Sequence, residues 1–457
     1  MPLLGPAGNF VAFLRDPPAY LRRLHATFGD IAALARGDSR LVFVFSPAYN
    51  QWLLSDTALF HNLDASSSPV RIPAGSALGR LYAGLTNMNG PRHQAHRRLM
   101  AAAFTRQRVD RLARDIVELS QQRVATWRPG DERDLLVEMR ELTLAVAVKS
   151  LLGLDPEHEG RRTSRLLQTW MDLVFSIPAL VVPLDVPGLP YRRLLRVSAL
   201  LEGEIRAMLA ERRATQTRGP DLLSLLLDTR DDDGVGLTDD ELIGQTSFLC
   251  MAGHATTASA LAWTLLLLDQ HPAVAAAVLA ELDVVLAGQP PGGPHTSQLP
   301  LLERVLKESL RLLPPVLWWS RVSTAACEVG PYRLAAGTRV GYSAFITHRR
   351  PELYSQPNRF RPQRWLEEPR GAYEYLPFSA GPRSCLGAAF AMLEMKLVLA
   401  VILQRVGLRL RPGARVDRGG LMISQPRPGL PMIVGWRDPS PTRAAVQGSI
   451  RSLVDFD

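Results

Sequence analysis

The chain has 457 residues, 46% apolar and 21% charged, an ordinary globular composition. Its three cysteines, Cys250, Cys327 and Cys385, are too few and too scattered for a disulfide framework or a zinc cluster. They suit a reducing, cytoplasmic setting. The formal net charge is +9, but the arginines are spread along helical segments such as "LRRLHATFGD" and "RVDRLARD". That pattern lacks the clustered basic module of a nucleic-acid binder. It leaves a solvated basic surface or a patch that steers an acidic protein partner.

The first twenty residues, "MPLLGPAGNFVAFLRDPPAY", have no basic start followed by an apolar core and a cleavage site, so no export and no membrane anchor are expected there. "RLVFVFS" reads as an early strand. "DLLVEMRELTLAVAVKSLLGL" and "RRLLRVSALLEGEIRAMLAERRA" carry apolar residues three and four apart, as helices do. "LAGQPPGGPHTSQLP" is a loop, and "EVGPYRLAAGTRVGYSAF" breaks into short strands. No linker or repeat interrupts residues 10 to 435. The expected fold class is therefore mainly α, one large helical unit with a small β-rich part, spanning residues 1–437. The polar tail 438–457 is expected to be loose.

One segment stands apart. "LTDDELIGQTSFLCMAGHATTASALAWTLLLLDQHP" opens with a capping box, Thr238 to Glu241, and stops before Pro272. It has no Asp, Glu, Lys or Arg from Thr246 to Leu268. About 20 apolar residues can span a bilayer. The small polar middle and the acidic ends argue instead for the central helix of a large protein.

The chemistry concentrates in "FSAGPRSCLG", Phe378 to Gly387. Gly381 and Gly387 permit backbone conformations that a side chain would block. Backbone N–H groups, Arg383 and the start of the following apolar helix would each favour a thiolate at Cys385, a soft metal ligand. A lone cysteine in an apolar setting is otherwise an inert core residue.

Phe378, Gly381, Arg383, Cys385 and Gly387 match the F-x-x-G-x-R-x-C-x-G signature of the cytochrome P450 family position for position, and the chain resembles that family from about Pro18 to Val434. The resemblance implies the family fold, with haem b (iron protoporphyrin IX) between the long central helix and the Cys385 loop. It makes Cys385 the axial iron ligand. In "KESLR" and "RFRPQRW", Glu308, Arg311 and Arg364 resemble the family's buried Glu-Arg-Arg scaffold. "GPRHQAHRRLMAAAF" resembles the helix whose His and Arg hold the haem carboxylates, here His93 and Arg97, with His96 and Arg98 as neighbouring alternatives. Arg321 and Arg383 complete that set, as charge-assisted donors to the carboxylates.

On the central helix, "AGHATT" resembles the family's A-G-x-(Asp/Glu)-Thr-Thr groove. It assigns Gly253 to close passage over the haem and Thr256 and Thr257 to the catalytic positions. Ala255 stands where the family has an acid. Water, the substrate or His254 would then deliver protons, or the reaction is one that needs less help, such as ring closure, coupling or desaturation. The resemblance places substrate contacts in "SSSPVRIPAGSALGRLYAGL", "TWMDLVFSIPALVV", "VLWW" and "LMISQ", with Leu317, Trp318, Met422 and Ile423 among them, and at Phe248 and Met251 of the central helix. These are apolar, as ligand pockets usually are. Trp318 and Trp319 read equally as ligand-stacking or core residues. Only Arg71 and Asp172 there suit a charged group.

The implied activity is monooxygenation of a mostly apolar small molecule, a natural-product intermediate. Electrons would come from NADPH or NADH through a separate ferredoxin reductase and ferredoxin. The other classes left open are a peroxide-driven oxygenase or haem isomerase of the same fold with no redox partner, and a non-catalytic haem binder or membrane protein.

Overall fold

A computed structural model of the chain describes residues 5–35, 38–64, 70–101, 106–216, 219, 221–230, 234–367, 369–420, 422–438 and 443–456. Its axis is the helix Asp239–Gln270, 32 residues long. The capping box forms as the sequence predicts: the Thr238 hydroxyl accepts from Glu241 N, and the Glu241 carboxylate accepts from Thr238 N at 3.0 Å. Asp239, Asp240 and Glu241 place negative charge at the positive end of the helix dipole. Pro272 opens the next helix, Pro272–Leu286, because it cannot continue this one.

The helices Ala77–Tyr82, Leu135–Leu152, Pro190–Thr215, Pro300–Leu312 and Ala388–Arg405 pack around this axis. A helix enclosed on all sides can be apolar on all sides. It is the one helix, among the described residues, long and apolar enough to cross a membrane, and 72% of its apolar window is buried inside the molecule.

Two apolar cores share it. The C-terminal half, Ala258 and Ala260 to Leu268, packs with Leu302, Leu306 and Leu397 to Ile402. The N-terminal half, Leu242, Ile243, Leu249 and Cys250, packs with Trp170, Leu194 and Leu201. Between the halves burial breaks down: Met251, Gly253, Ala255 and Thr256 are half-buried and Ala252 is exposed. The open stretch marks the site.

The β-rich part is small. One sheet runs in the order Ile31–Ala35, Asp38–Val44, Arg339–Tyr342, Trp319–Ser323, Phe60–His61. Arg339–Tyr342 lies parallel to Asp38–Val44 and antiparallel to Trp319–Ser323, where Arg321 pairs with Val340. Gly341 is required there, since a Cβ would meet the Phe43 ring at 2.6 Å. A second sheet joins Glu132–Asp134, Pro431–Gly435 and Gly407–Leu410, and a hairpin pairs Asp417–Gly419 with Gln425–Arg427. The loop predicted at 286–300 contains a short 3-10 turn, Gly293–Gln298.

The tail corrects an expectation. Val446, Ile450, Leu453, Val454 and Phe456 are buried in the main core. Gln270, at the end of the central helix, holds it by donating to Ala444 O at 2.7 Å and accepting from Val446 N at 3.2 Å. Polar composition concealed five apolar anchors. Residues 66–69, 421, 439–442 and 457, which belong to the expected substrate stretches and the tail, lie outside the described residues.

Candidate functional site

The Cys385 loop is built by backbone constraint. Gly381 has φ +72°, and a Cβ there would lie 2.5 Å from Leu54 O, so only glycine fits. Cys385 N donates to Phe378 O at 2.8 Å and Ser384 N to Gly381 O at 3.0 Å. Tyr342 donates to Ser379 Oγ at 2.9 Å. Gly387 caps the helix Ala388–Arg405, and a Cβ on it would meet nothing within 4 Å.

By surface area Cys385 is exposed, yet its sulfur lies deep among protein atoms. Both hold for a thiol that faces inward over unfilled space. Burial pushes the thiol pKa up, while the Gly387 N–H and Arg97 pull it down; burial prevails. The guanidinium that helps the Gly387 N–H steady negative charge on this sulfur is Arg97 rather than the expected Arg383. A coordinating cation reverses the balance, since a metal-bound thiol is deprotonated outright.

Beside the sulfur sits a cationic ring. Arg97 donates to Ser384 O at 2.9 Å and Ser384 Oγ at 3.3 Å. Arg383 donates to Met88 O at 2.9 Å and Asn89 Oδ1 at 2.8 Å, while its Nε and Nη1 are buried with no partner. Arg321 is 3% exposed, and burial depresses its pKa. Burial, with Arg321 and Arg97, lowers Arg383 to about 10. His93 is pushed to about 4 by burial and then by Arg383, Arg97 and Arg321, so it is neutral.

Among the described residues no carboxylate pairs with Arg97, Arg321 or Arg383. Buried charges without partners are costly. Three converging guanidiniums, with orphaned donors on one of them, suit an anionic ligand with two carboxylates. A porphyrin with two propionates meets that requirement, and its iron would meet the sulfur. The donor set fits haem. The structure also separates the two histidines of the helix Gly90–Ala101. His96 turns away from the ring, its Nε2 3.1 Å from Glu241 Oε1 and its Nδ1 3.1 Å from Gln245 Nε2.

The central helix supplies the opposite wall. Phe248, Met251, Ala252, Ala255 and Thr256 recur three and four apart and define its open face. Leu386, next to Cys385, packs against the same apolar cluster as Phe248 and Met251. A Cβ on Gly253 would meet nothing within 4 Å. Thr256 Oγ1 donates to Ala252 O at 2.7 Å, a back-bond that leaves its lone pairs free to accept.

Thr257 and His254 fall on the packed side. Thr257 is 3% exposed and lies among packed side chains, unlike Thr256. His254 is buried, with Nδ1 2.9 Å from Thr143 Oγ1 on the helix Leu135–Leu152. Burial and then Arg140 lower its pKa to about 3. Its ring therefore lies on the packed side of the helix.

Behind the loop, Glu308, Arg311 and Arg364 are all buried. Arg311 donates to Glu308 at 2.9 and 2.8 Å, and Arg364 Nε donates to the same carboxylate at 2.8 Å. Trp365 Nε1 and Arg361 N complete the shell at 3.1 and 2.9 Å. Burial alone would raise the Glu308 pKa; Arg311 and Arg364 outweigh it and hold the carboxylate ionised. The arginines' other N–H groups go to backbone carbonyls of His348, Ser355, Gln356, Pro357 and Arg359. Sequence reasoning missed His348. Its Nδ1 is 3.1 Å from Arg311 O and its Nε2 accepts from Leu376 N at 2.7 Å, which ties the cluster to the strand of chain entering the Cys385 loop.

The expected substrate residues divide. Phe248, Met251, Met422 and Ile423 are half-buried, and Leu317 is buried. Trp318 packs edge-on against Phe13 and Phe43, with centroids 5.0 and 5.6 Å apart, and Trp319 packs in the sheet's own core. Of the two readings for these tryptophans, these contacts are those of core packing. Asp172 lies on an exposed face, bonded to Gln168 at 3.0 Å. Arg71 is exposed, and its carbonyl accepts from Tyr191 at 2.8 Å.

Comparison with known proteins gives a consistent picture. The family model described as "Cytochrome P450" matches residues 2–428. Cyclooctat-9-en-7-ol 5-monooxygenase of Streptomyces melanosporofaciens is 33% identical over 444 residues, 95% of this chain and 93% of its own. Pentalenene oxygenase of Streptomyces avermitilis is 28% identical over 424 residues, 91% of each. Among solved structures, retinoic acid-bound cyanobacterial CYP120A1 superposes with a TM-score of 0.82 at 26% identity, covering 95% of this chain and 97% of that one.

Proposed function

The chain belongs to the cytochrome P450 family and is a monooxygenase of it, and from that premise we propose that it binds haem b through Cys385 and hydroxylates an apolar natural product. The observation that carries this reading is the convergence beside Cys385 of Arg97, Arg321 and Arg383, none with a carboxylate partner among the described residues and the last with two orphaned buried donors. When bound, haem b supplies reductive activation of dioxygen and insertion of one oxygen atom into the substrate.

The protein's own residues have separate tasks. Cys385 ligates the metal, with Gly387 N–H and Arg97 steadying the thiolate charge. Arg97, Arg321, Arg383 and neutral His93 hold the two propionates. Glu308, Arg311 and Arg364 fix the chain behind the loop. Phe248, Met251, Leu317, Met422 and Ile423 exclude water from the substrate side. Thr256 holds a proton acceptor on the open face of the helix. With Ala255 unable to donate and His254 turned away, the proton reaches that face from water or from a substrate hydroxyl.

The substrate class rests on the apolar open face and on the relatives. Those proteins are named for cyclooctat-9-en-7-ol and pentalenene, and the structural neighbour for retinoic acid. A terpene or similarly hydrocarbon-rich skeleton fits such a surface. Electrons come from NADPH or NADH through a ferredoxin reductase and a ferredoxin. The chain's formal net charge of +9 suits an acidic carrier. The protein works in the cytoplasm, its apolar central helix buried rather than offered to a membrane.

The test is turnover of candidate terpenes that shift the haem spin state. Product formed with NADPH and the ferredoxin pair supports the proposal. Product formed with peroxide alone, and none with the electron carriers, supports the peroxide-driven reading instead.

A further inference from the structure

The hairpin Asp417–Gly419 with Gln425–Arg427 ends in a turn that carries Met422, Ile423 and Ser424. Gly420, at φ +84°, packs so closely on Ile423 O that no side chain fits, which fixes the turn's shape. Ser424 is where three segments meet. Its carbonyl accepts two hydrogen bonds from the central helix, one from Ser259 Oγ and one from Trp263 Nε1 at 3.1 Å. Its N–H donates to Pro315 O at 2.7 Å, just before Leu317. Ser259, Trp263 and Ser424 are at most 2% exposed, so water does not compete for these bonds. One side of the hairpin is held further on, where Arg140 donates to Gln425 Oε1 at 2.7 Å.

Ser259 and Trp263 lie four residues apart on one face of the helix. Trp263 is seven residues beyond Thr256, close to two full turns and about 10 Å along the axis. The same helix therefore sets Thr256 and, two turns on, the height of the Met422–Ile423 turn. Through Pro315 it also sets the segment leading to Leu317.

We infer that Ser259 and Trp263 are specificity-determining positioning residues: by clamping Ser424 O they fix the Met422–Ile423 turn and the Leu317 segment at a set distance from Thr256, and so decide which substrate shapes reach it. This rests on the haem-pocket reading above. Neither residue touches the haem or its carboxylate partners in that reading.

The test uses haem-loaded protein and two azole probes, imidazole and the bulkier 4-phenylimidazole, followed by difference spectra. Ser259→Ala, Trp263→Phe and the double variant are compared with Ser259→Thr, which keeps the hydroxyl. The double variant is expected to weaken 4-phenylimidazole about tenfold while changing imidazole less than about twofold. Hydrogen exchange across residues 422–427 is expected to accelerate in the same variants. Ser259→Thr is expected to keep the wild-type ratio of the two constants. A variant that loads haem with that ratio and that exchange rate unchanged overturns the inference and leaves the proposed function standing. Wild-type protein that binds neither azole refutes the haem pocket itself. If Trp263→Phe does not fold, the contrast between Ser259→Ala and Ser259→Thr decides.

Discussion

Arg311 grips Glu308 through two hydrogen bonds of 2.9 and 2.8 Å, with both side chains fully buried. Arg364 reaches the same carboxylate from a different segment. The value of this arrangement lies in what its loss would leave behind. Glu308→Gln strands two buried guanidiniums and should cost about 3–5 kcal/mol. A thermal melt of the apo and haem-loaded protein, with haem recovery on purification, measures it. A variant as stable as wild type would contradict the assigned burial.

Thr256 and His254 should separate cleanly. Thr256→Ala removes the one hydroxyl on the open face and is expected to divert NADPH consumption away from product. His254→Ala loses its bond to Thr143 and some stability, but should keep wild-type coupling because its ring lies on the packed side. The ratio of product formed to NADPH consumed is the readout. Uncoupling by His254→Ala would return that histidine to proton delivery.

Acid should destabilise the fold through neutral buried histidines. His254 and His348 are each lowered from 6.5 to about 3, chiefly by burial. Below pH 6.5 the unfolded chain binds protons that the folded chain refuses, so their stability contribution is present above that pH and is lost as pH falls toward 3. Each costs about 1.4 kcal/mol per pH unit within the window. Asp269 runs the other way. Burial raises it from 3.8 to about 6, so its contribution is full below 3.8 and lost as pH rises through 6. Between pH 6 and 4 it offsets one of the two histidines. Urea midpoints over that range should fall with pH, and more shallowly in His348→Gln. A flat profile would argue against buried neutral rings.

Phe456 anchors the C-terminal tail at 5% exposure in the main core. Phe456→Ala should cost about 3 kcal/mol, the low end for a buried aromatic. Differential scanning calorimetry checks it. A change within about 0.5 kcal/mol, the range of surface substitutions, would place the tail outside the core.

What the sequence discloses depends on whether one element carries the information. The Cys385 loop, the Glu308–Arg311 pair and the central helix with its capping box are each local patterns, and the structure forms them as read. His254 was not legible, because a one-residue step on a helix rotates a side chain by about 100° and only the neighbouring Thr143 fixes where it goes. Trp318 sits beside pocket residues in the chain, yet Phe13 and Phe43, some 300 positions earlier, claim its ring. Ser424 carries no motif at all. Its importance lies in a carbonyl, and the partners of a carbonyl are settled by tertiary packing.

The most direct measurement is the absorption spectrum of the reduced carbon monoxide complex of Cys385→Ser beside the wild type. Thiolate ligation predicts a strongly red-shifted band in the wild type and its disappearance in the variant, with haem still bound through the arginine ring. The same red-shifted band in both proteins would contradict ligation by this sulfur.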